Sequence, residues 1–135
     1  MKKLLSINAF LGISMFMFGV LKFIDPFKSW YTTQIENSGM GNNAYLLGIA
    51  GEIVVGVLLV YAAFWADHRK SSYSFIVILS SVLVIFMMAM GTYVHMHPAV
   101  PSDVLPLKIK PPFIPLAFLL LAGINIWQAR KAIQN

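Results

Sequence analysis

Four long stretches of the chain are apolar on every side, and shorter polar stretches separate them. From Leu4 to Ile24 only Ser6, Asn8 and Ser14 interrupt the run before Lys22. At 1.5 Å per residue its ~21 residues reach roughly 30 Å, the thickness of the hydrocarbon core of a bilayer. Tyr45 to Trp65 is of similar length and carries one charge, Glu52, while Ser72 to Tyr93 carries none. The last run, from Pro112 to about Ala129, is shorter and opens on prolines, which the first turn of a helix tolerates because its amides have no internal partner. A helix that is apolar all round must lie in a large core or in lipid. Four of them in one short chain leave too little polar material to cover them, so lipid is the expected solvent. The predicted architecture is all-α: a single transmembrane domain over 1–135, an integral membrane four-helix bundle with helices near 4–24, 45–65, 72–93 and 112–129.

The connecting segments carry patterns of their own. After the first run, Asp25 can cap a helix, Pro26 suits a first helical position and Gly39 suits a left-handed stop. Between them Phe27, Trp30, Tyr31 and Ile35 recur at helical spacing, which predicts a short interfacial helix in the first outer loop. Its expected role is anchoring by aromatic residues at headgroup depth, the alternative being a lid over the bundle. The loop from His95 to Pro111 has prolines at 98, 101, 106 and 111, and is expected to be extended and stiff.

Composition sharpens this picture. Of 135 residues 59% are hydrophobic and 11% charged, against roughly 45–50% and 25% in soluble domains. Cysteine is absent, which excludes disulfides, thiolate metal sites, iron–sulfur clusters and thiol relays. The net charge of +5 sits singly or in pairs beside the apolar runs, which points to membrane topology and to no nucleic-acid partner. Lys2, Lys3, Arg69, Lys70, Arg130 and Lys131 flank one side of the proposed bundle, and Lys22, Lys28, Lys108 and Lys110 the other. The excess predicts both termini cytoplasmic, and the expected setting is a bacterial cytoplasmic membrane. The start, Met1-Lys2-Lys3-Leu4-Leu5, resembles a secretory signal, but no small-x-small cleavage pattern precedes Lys22, so the first helix is expected to stay as an anchor.

Chemistry concentrates on few residues. Glu52 is an ionisable group about seven residues, or roughly 10 Å, inside its helix, and such a group needs a partner or a proton. Gly48 and Gly56 stand a turn before and after it on one face, and Gly12 and Gly19 share a face of the first helix; both patterns invite close helix packing. Lys22, near the outer end of the first helix, shares the outer half of the bundle with Glu52, so it either pairs with Glu52 or snorkels to the headgroups. His95 and His97 follow the outer end of the third helix, and with Lys22 and Glu52 they make the ligand-binding or proton-linked candidates. The two imidazoles, two apart on an extended chain, suggest a metal, but only Asp103 and Glu52 stand ready as further ligands, so no metal site is assigned. A bis-histidine haem would need His68, which is expected on the opposite side. Met87, Met88, Met90, Trp65 and Trp127 read as packing or boundary residues, and Asn125 as an interhelical hydrogen bond.

Gly19-x-x-Lys22, Asp25-Pro26, Gly39, the glycine-flanked Glu52 helix and the four-span layout together resemble the DoxX-like family of small four-helix membrane proteins. The proline motifs, His97-Pro98-x-Val100-Pro101, Leu105-Pro106 and Ile109-Lys110-Pro111-Pro112, look like the hallmark of one branch. The family takes its name from a membrane component of a thiosulfate:quinone oxidoreductase, and most members lack an assigned reaction. The resemblance implies a setting in quinone-linked redox metabolism, with a quinone or similar apolar ring in an outer-half cavity near Glu52 and the histidines. It implies no intrinsic cofactor, and a redox partner subunit to carry electrons. The alternative is a non-enzymatic membrane protein that binds or moves a small amphipathic molecule, or stabilises a complex.

Overall fold

The computed structural model describes residues 2–134. Five α-helices carry the chain: α1 (Lys2–Leu21), α2 (Phe27–Ser38), α3 (Gly41–Phe64), α4 (Ser71–Met96) and α5 (Phe113–Gln134), and no strand occurs among the described residues. All but α2 are long and apolar enough to cross a membrane. These four close a ring in which α1 packs on α3, α3 on α4, α4 on α5 and α5 back on α1. Its centre is filled by Leu11, Met15, Val55, Leu59, Val84 and Phe118, one or two from each helix. Between 28% and 39% of each apolar window is buried. The rest, including Phe75 and Phe86 at 66% exposed, faces outward, and hydrocarbon is the solvent in which such a surface costs nothing.

The four glycines singled out by spacing sit at contacts. A methyl at Gly12 would lie 2.7 Å from the Val60 backbone nitrogen, one at Gly19 2.7 Å from Ile53, and one at Gly56 2.7 Å from the Phe16 Cα. These three contacts set α1 antiparallel to α3 in one register, backbone close to backbone. Gly48 differs: its neighbour is the Tyr31 hydroxyl of α2, so it makes room for the short helix and not for a spanning one.

Several boundaries depart from expectation, each for a local reason. The first helix ends at Leu21, not 24, where the chain turns: Phe23 and Ile24 close the last turn through bonds to Val20 and Leu21. Gly39 and Gly41, at φ 73° and 84°, let the chain turn sharply from α2 into α3, which starts earlier than its apolar run. The fourth spanning helix is longer than expected, not shorter. Its last turns are built from Gln128, Ala129, Arg130 and Lys131, good helix formers, and Ala129 is buried beside Leu4 and Tyr73.

α2 packs Tyr31 and Ile35 on Ile49 of α3 and leaves Phe27 exposed. Asp25 accepts from the Ser29 amide at 3.2 Å and its hydroxyl at 2.6 Å, so it does cap this helix. The proline-rich loop is not extended. It winds through two short 3-10 turns, Ser102–Val104 and Pro106–Lys108, and buries Val100 and Leu105 against Val94. Gln34 donates to the Val104 carbonyl, Asn37 to that of Ala99 at 3.0 Å. The loop and α2 thereby join into one cap over the end of the bundle away from the termini.

Candidate functional site

Continuing the α1–α3 register past Gly19 brings Lys22 level with the turn of α3 that holds Glu52. Residues 41–49 of α3 overrun the end of α1 by about 13 Å, and α2 fills the space alongside them. Glu52 is therefore near the midpoint of its own helix, deeper along it than the estimate from Tyr45, yet only just below the end of α1.

Lys22 donates to Glu52 Oε2, the one ion pair among the described residues. The side chains are 16% and 11% exposed, so the charges neutralise each other where water is scarce, and separating them would be costly. The ammonium also stands 4.5 Å from the centre of the Tyr31 ring, a cation–π contact. Tyr31 in turn lies against Tyr45, ring centres 4.7 Å apart, and donates to the Tyr45 carbonyl at 3.0 Å. Burial first, then the Glu52 carboxylate and Tyr45, push the Tyr31 phenol well above its ordinary range. The ammonium of the pair is thus faced by the ring of Tyr31, whose phenol is neutral.

Beside the pair lies a cleft of about 500 Å³, lined by Lys22, Phe23, Lys28, Tyr45, Leu46, Ile49, Ala50 and Ile53. Leu46, Ala50 and Ile53 follow one face of α3, and small Ala50 forms the floor between larger neighbours. Leu46 and Phe23 are 56% and 64% exposed, so the cleft opens sideways along the bundle wall. Lys22 supplies a polar point at its inner edge and Lys28 a second at its rim. The arrangement can hold an apolar body and hydrogen-bond a polar head, since an ammonium has three donors and Glu52 takes one.

The histidines lie elsewhere. His95 is not on extended chain but in the last turn of α4 and buried, against the backbone of Ile109, Lys110 and Pro111. His97 caps that helix with extended backbone, where its Nδ1 accepts from the Ala99 amide at 3.2 Å. A helical and an extended residue two apart do not aim their rings together, and no group of three or more His, Asp or Glu among the described residues can hold a metal. Met87 of α4 packs level with Gly51, and His95 is eight residues further along, about 12 Å from the height of Glu52. The structure joins Lys22 to Glu52 and sets both histidines apart in the cap, where Lys110 Nζ donates to the carbonyls of His97 and Val100. Asp103 is exposed on the first 3-10 turn.

A second polar cluster, in the half of the bundle nearer the termini, was not expected as a unit. Asn125 of α5 donates to Asn8 Oδ1 of α1 at 2.7 Å and to Ser81 Oγ of α4 at 3.0 Å, and Asn8 donates to the Tyr73 hydroxyl at 3.0 Å. The ring of His68 stacks on Tyr73, centres 4.7 Å apart and planes 8° from parallel. Asn8 in sequence is only an interruption of an apolar run; its signal is that a polar residue within a span must find a partner.

Comparison with known protein families, with curated proteins and with solved structures finds no match for this chain.

Proposed function

We propose that this chain takes a quinone, or a similar ring with a carbonyl head, sideways from the bilayer into the cleft beside Lys22, as a component of quinone-linked redox metabolism. The observation that supports it is Lys22, paired behind with Glu52, at the edge of a cleft whose other lining residues, Lys28 apart, are mostly apolar. A cleft of this volume falls within the range of small-molecule sites. Lys22 has donors to spare for a ring carbonyl, and Glu52 behind it can balance a change of charge on the head. The DoxX-like resemblance supplies the redox setting, and a partner subunit supplies the electron carrier, since the cysteine-free chain can build no cluster of its own. The excess of basic residues at the termini end supports placing both termini in the cytoplasm, and a bacterial cytoplasmic membrane is the setting proposed.

A second reading, an amphipath-binding protein without redox chemistry, draws on the two lysines of the cleft, which also suit an anionic lipid head. One experiment separates them. The protein is purified in mild detergent, extracted with organic solvent, and the extract is read by mass spectrometry and quinone absorbance. Stoichiometric quinone in the wild type, lost in Lys22→Met, is the expected result. Anionic lipid in its place favours the second reading, and equal content in wild type and variant overturns both.

A further inference from the structure

The cluster around Asn125 does not close on itself. Asn125 spends both amide hydrogens, on Asn8 and Ser81, while its Oδ1, fully buried, has no partner. Turning the amide over does not help. With Asn125 and Asn8 both reversed, Asn8 would donate to Asn125, Tyr73 to Asn8 and Ser81 to Asn125, and the two hydrogens of Asn125 would then be the unpaired ones. In either arrangement one edge of this amide carries a polar group that no side chain reaches. Ser80 Oγ, beside Ser81 in sequence and also fully buried, is likewise unpartnered. Inside a bilayer no solvent relieves such groups from outside, and each costs several kcal/mol if left bare.

We infer that the junction of α1, α4 and α5 at Asn8, Ser81 and Asn125 is an internal water-binding site. Water is the ligand that fits, because it donates to Oδ1 in one amide orientation and accepts from the amide in the other, and buried waters typically make about three such bonds. The polar groups continue from this site toward the termini end: Asn125 bonds to Asn8, Asn8 to Tyr73, and His68, in the loop between α3 and α4, stacks on Tyr73.

The same geometry sets where the hydrated part stops. On α1, Leu11 and Met15 lie between Asn8 and Lys22; on α3, Val55 and Leu59 lie on the termini side of Glu52. Val84 on α4 and Ala122 and Phe118 on α5 complete the layer, at most 8% exposed. This dry layer separates the water site from the Lys22–Glu52 pair, so the water is confined to the half of the bundle nearer the termini. The inference is independent of what the cleft binds.

The test uses the wild-type chain in lipid vesicles, labelled with 15N asparagine and 13C valine, and solid-state NMR transfer of polarisation from bulk water. The side-chain amide of Asn125 is expected to build up as fast as those of exposed Asn42 and Asn43, within a few-fold, while the methyls of Val55 and Val84 lag at least tenfold. Build-up at Asn125 as slow as at Val84 would overturn the site. Fast build-up at Val55 and Val84 as well would overturn the dry layer, and with it the inference that the water is confined.

Discussion

Lys22 and Glu52 are not equal partners. Lys22 follows the end of α1 and has a flexible stem that can carry its charge to the headgroups if Glu52 is removed. Glu52 is held near the middle of α3 and cannot follow. Lys22→Met is therefore expected to destabilise by about 3–5 kcal/mol, as breaking buried pairs does, and Glu52→Leu by clearly less, while the double variant returns close to wild type. Unfolding in mixed micelles measures this cycle; additive losses in the double variant would show that the two charges do not depend on each other. Tyr31 adds a pH dependence. Its phenol is held neutral above the ordinary value of about 10, with burial the largest cause. Only the unfolded chain then gains by losing that proton, so this contribution is complete below about pH 10 and declines as pH rises beyond it. Stability measured from pH 9 to 11.5 is expected to fall, and Tyr31→Phe to flatten the fall.

Between elements, the α1–α3 seam depends on missing side chains. Gly12 and Gly56 each face backbone atoms of the other helix, which cannot give way as a side-chain tip can. Gly56→Val is expected to cost about 1–3 kcal/mol or more through overpacking. Gly123 of α5 has nothing within 4 Å of where a Cβ would be, and Gly123→Ala is expected to be neutral or to gain up to about 1 kcal/mol of helix propensity. Melting temperatures in detergent check the contrast, and equal effects at both sites would remove the seam from the account. These contacts were legible in sequence because glycines seven or eight apart share a helical face. What Gly48 meets was not, since the pattern marks a surface free of side chains and says nothing of the helix that covers it.

For the whole molecule, four crossings place both termini on one side and the cap of α2 and the proline loop on the other. The natural absence of cysteine makes this direct to test. Asn42→Cys and Ser72→Cys, at exposed positions at opposite ends, are expected to react with a membrane-impermeant thiol reagent from opposite faces of sealed vesicles; labelling from the same face would break the topology. At this scale the molecule has two polar centres, an ion pair by a lateral cleft and an amide cluster nearer the termini, with packed apolar side chains between them. Both centres involve α1, which explains why this helix has small residues and an asparagine among its apolar ones.

Hydropathy and periodicity alone determined four spans, a short helix between Asp25 and Gly39, and the glycine-marked faces of α1 and α3, because these are properties of neighbouring residues along one helix. They also put Lys22 and Glu52 in the same half of the bundle, since rough depth follows from counting residues in from the ends, while the α1–α3 register brought them level. Only the tertiary structure decided that Asn8 meets Asn125, 117 positions away, that the histidines part from Glu52, and that the proline loop folds onto α2. Those outcomes depend on the rotation and register of one helix against another, which packing of the whole bundle sets and no local pattern encodes.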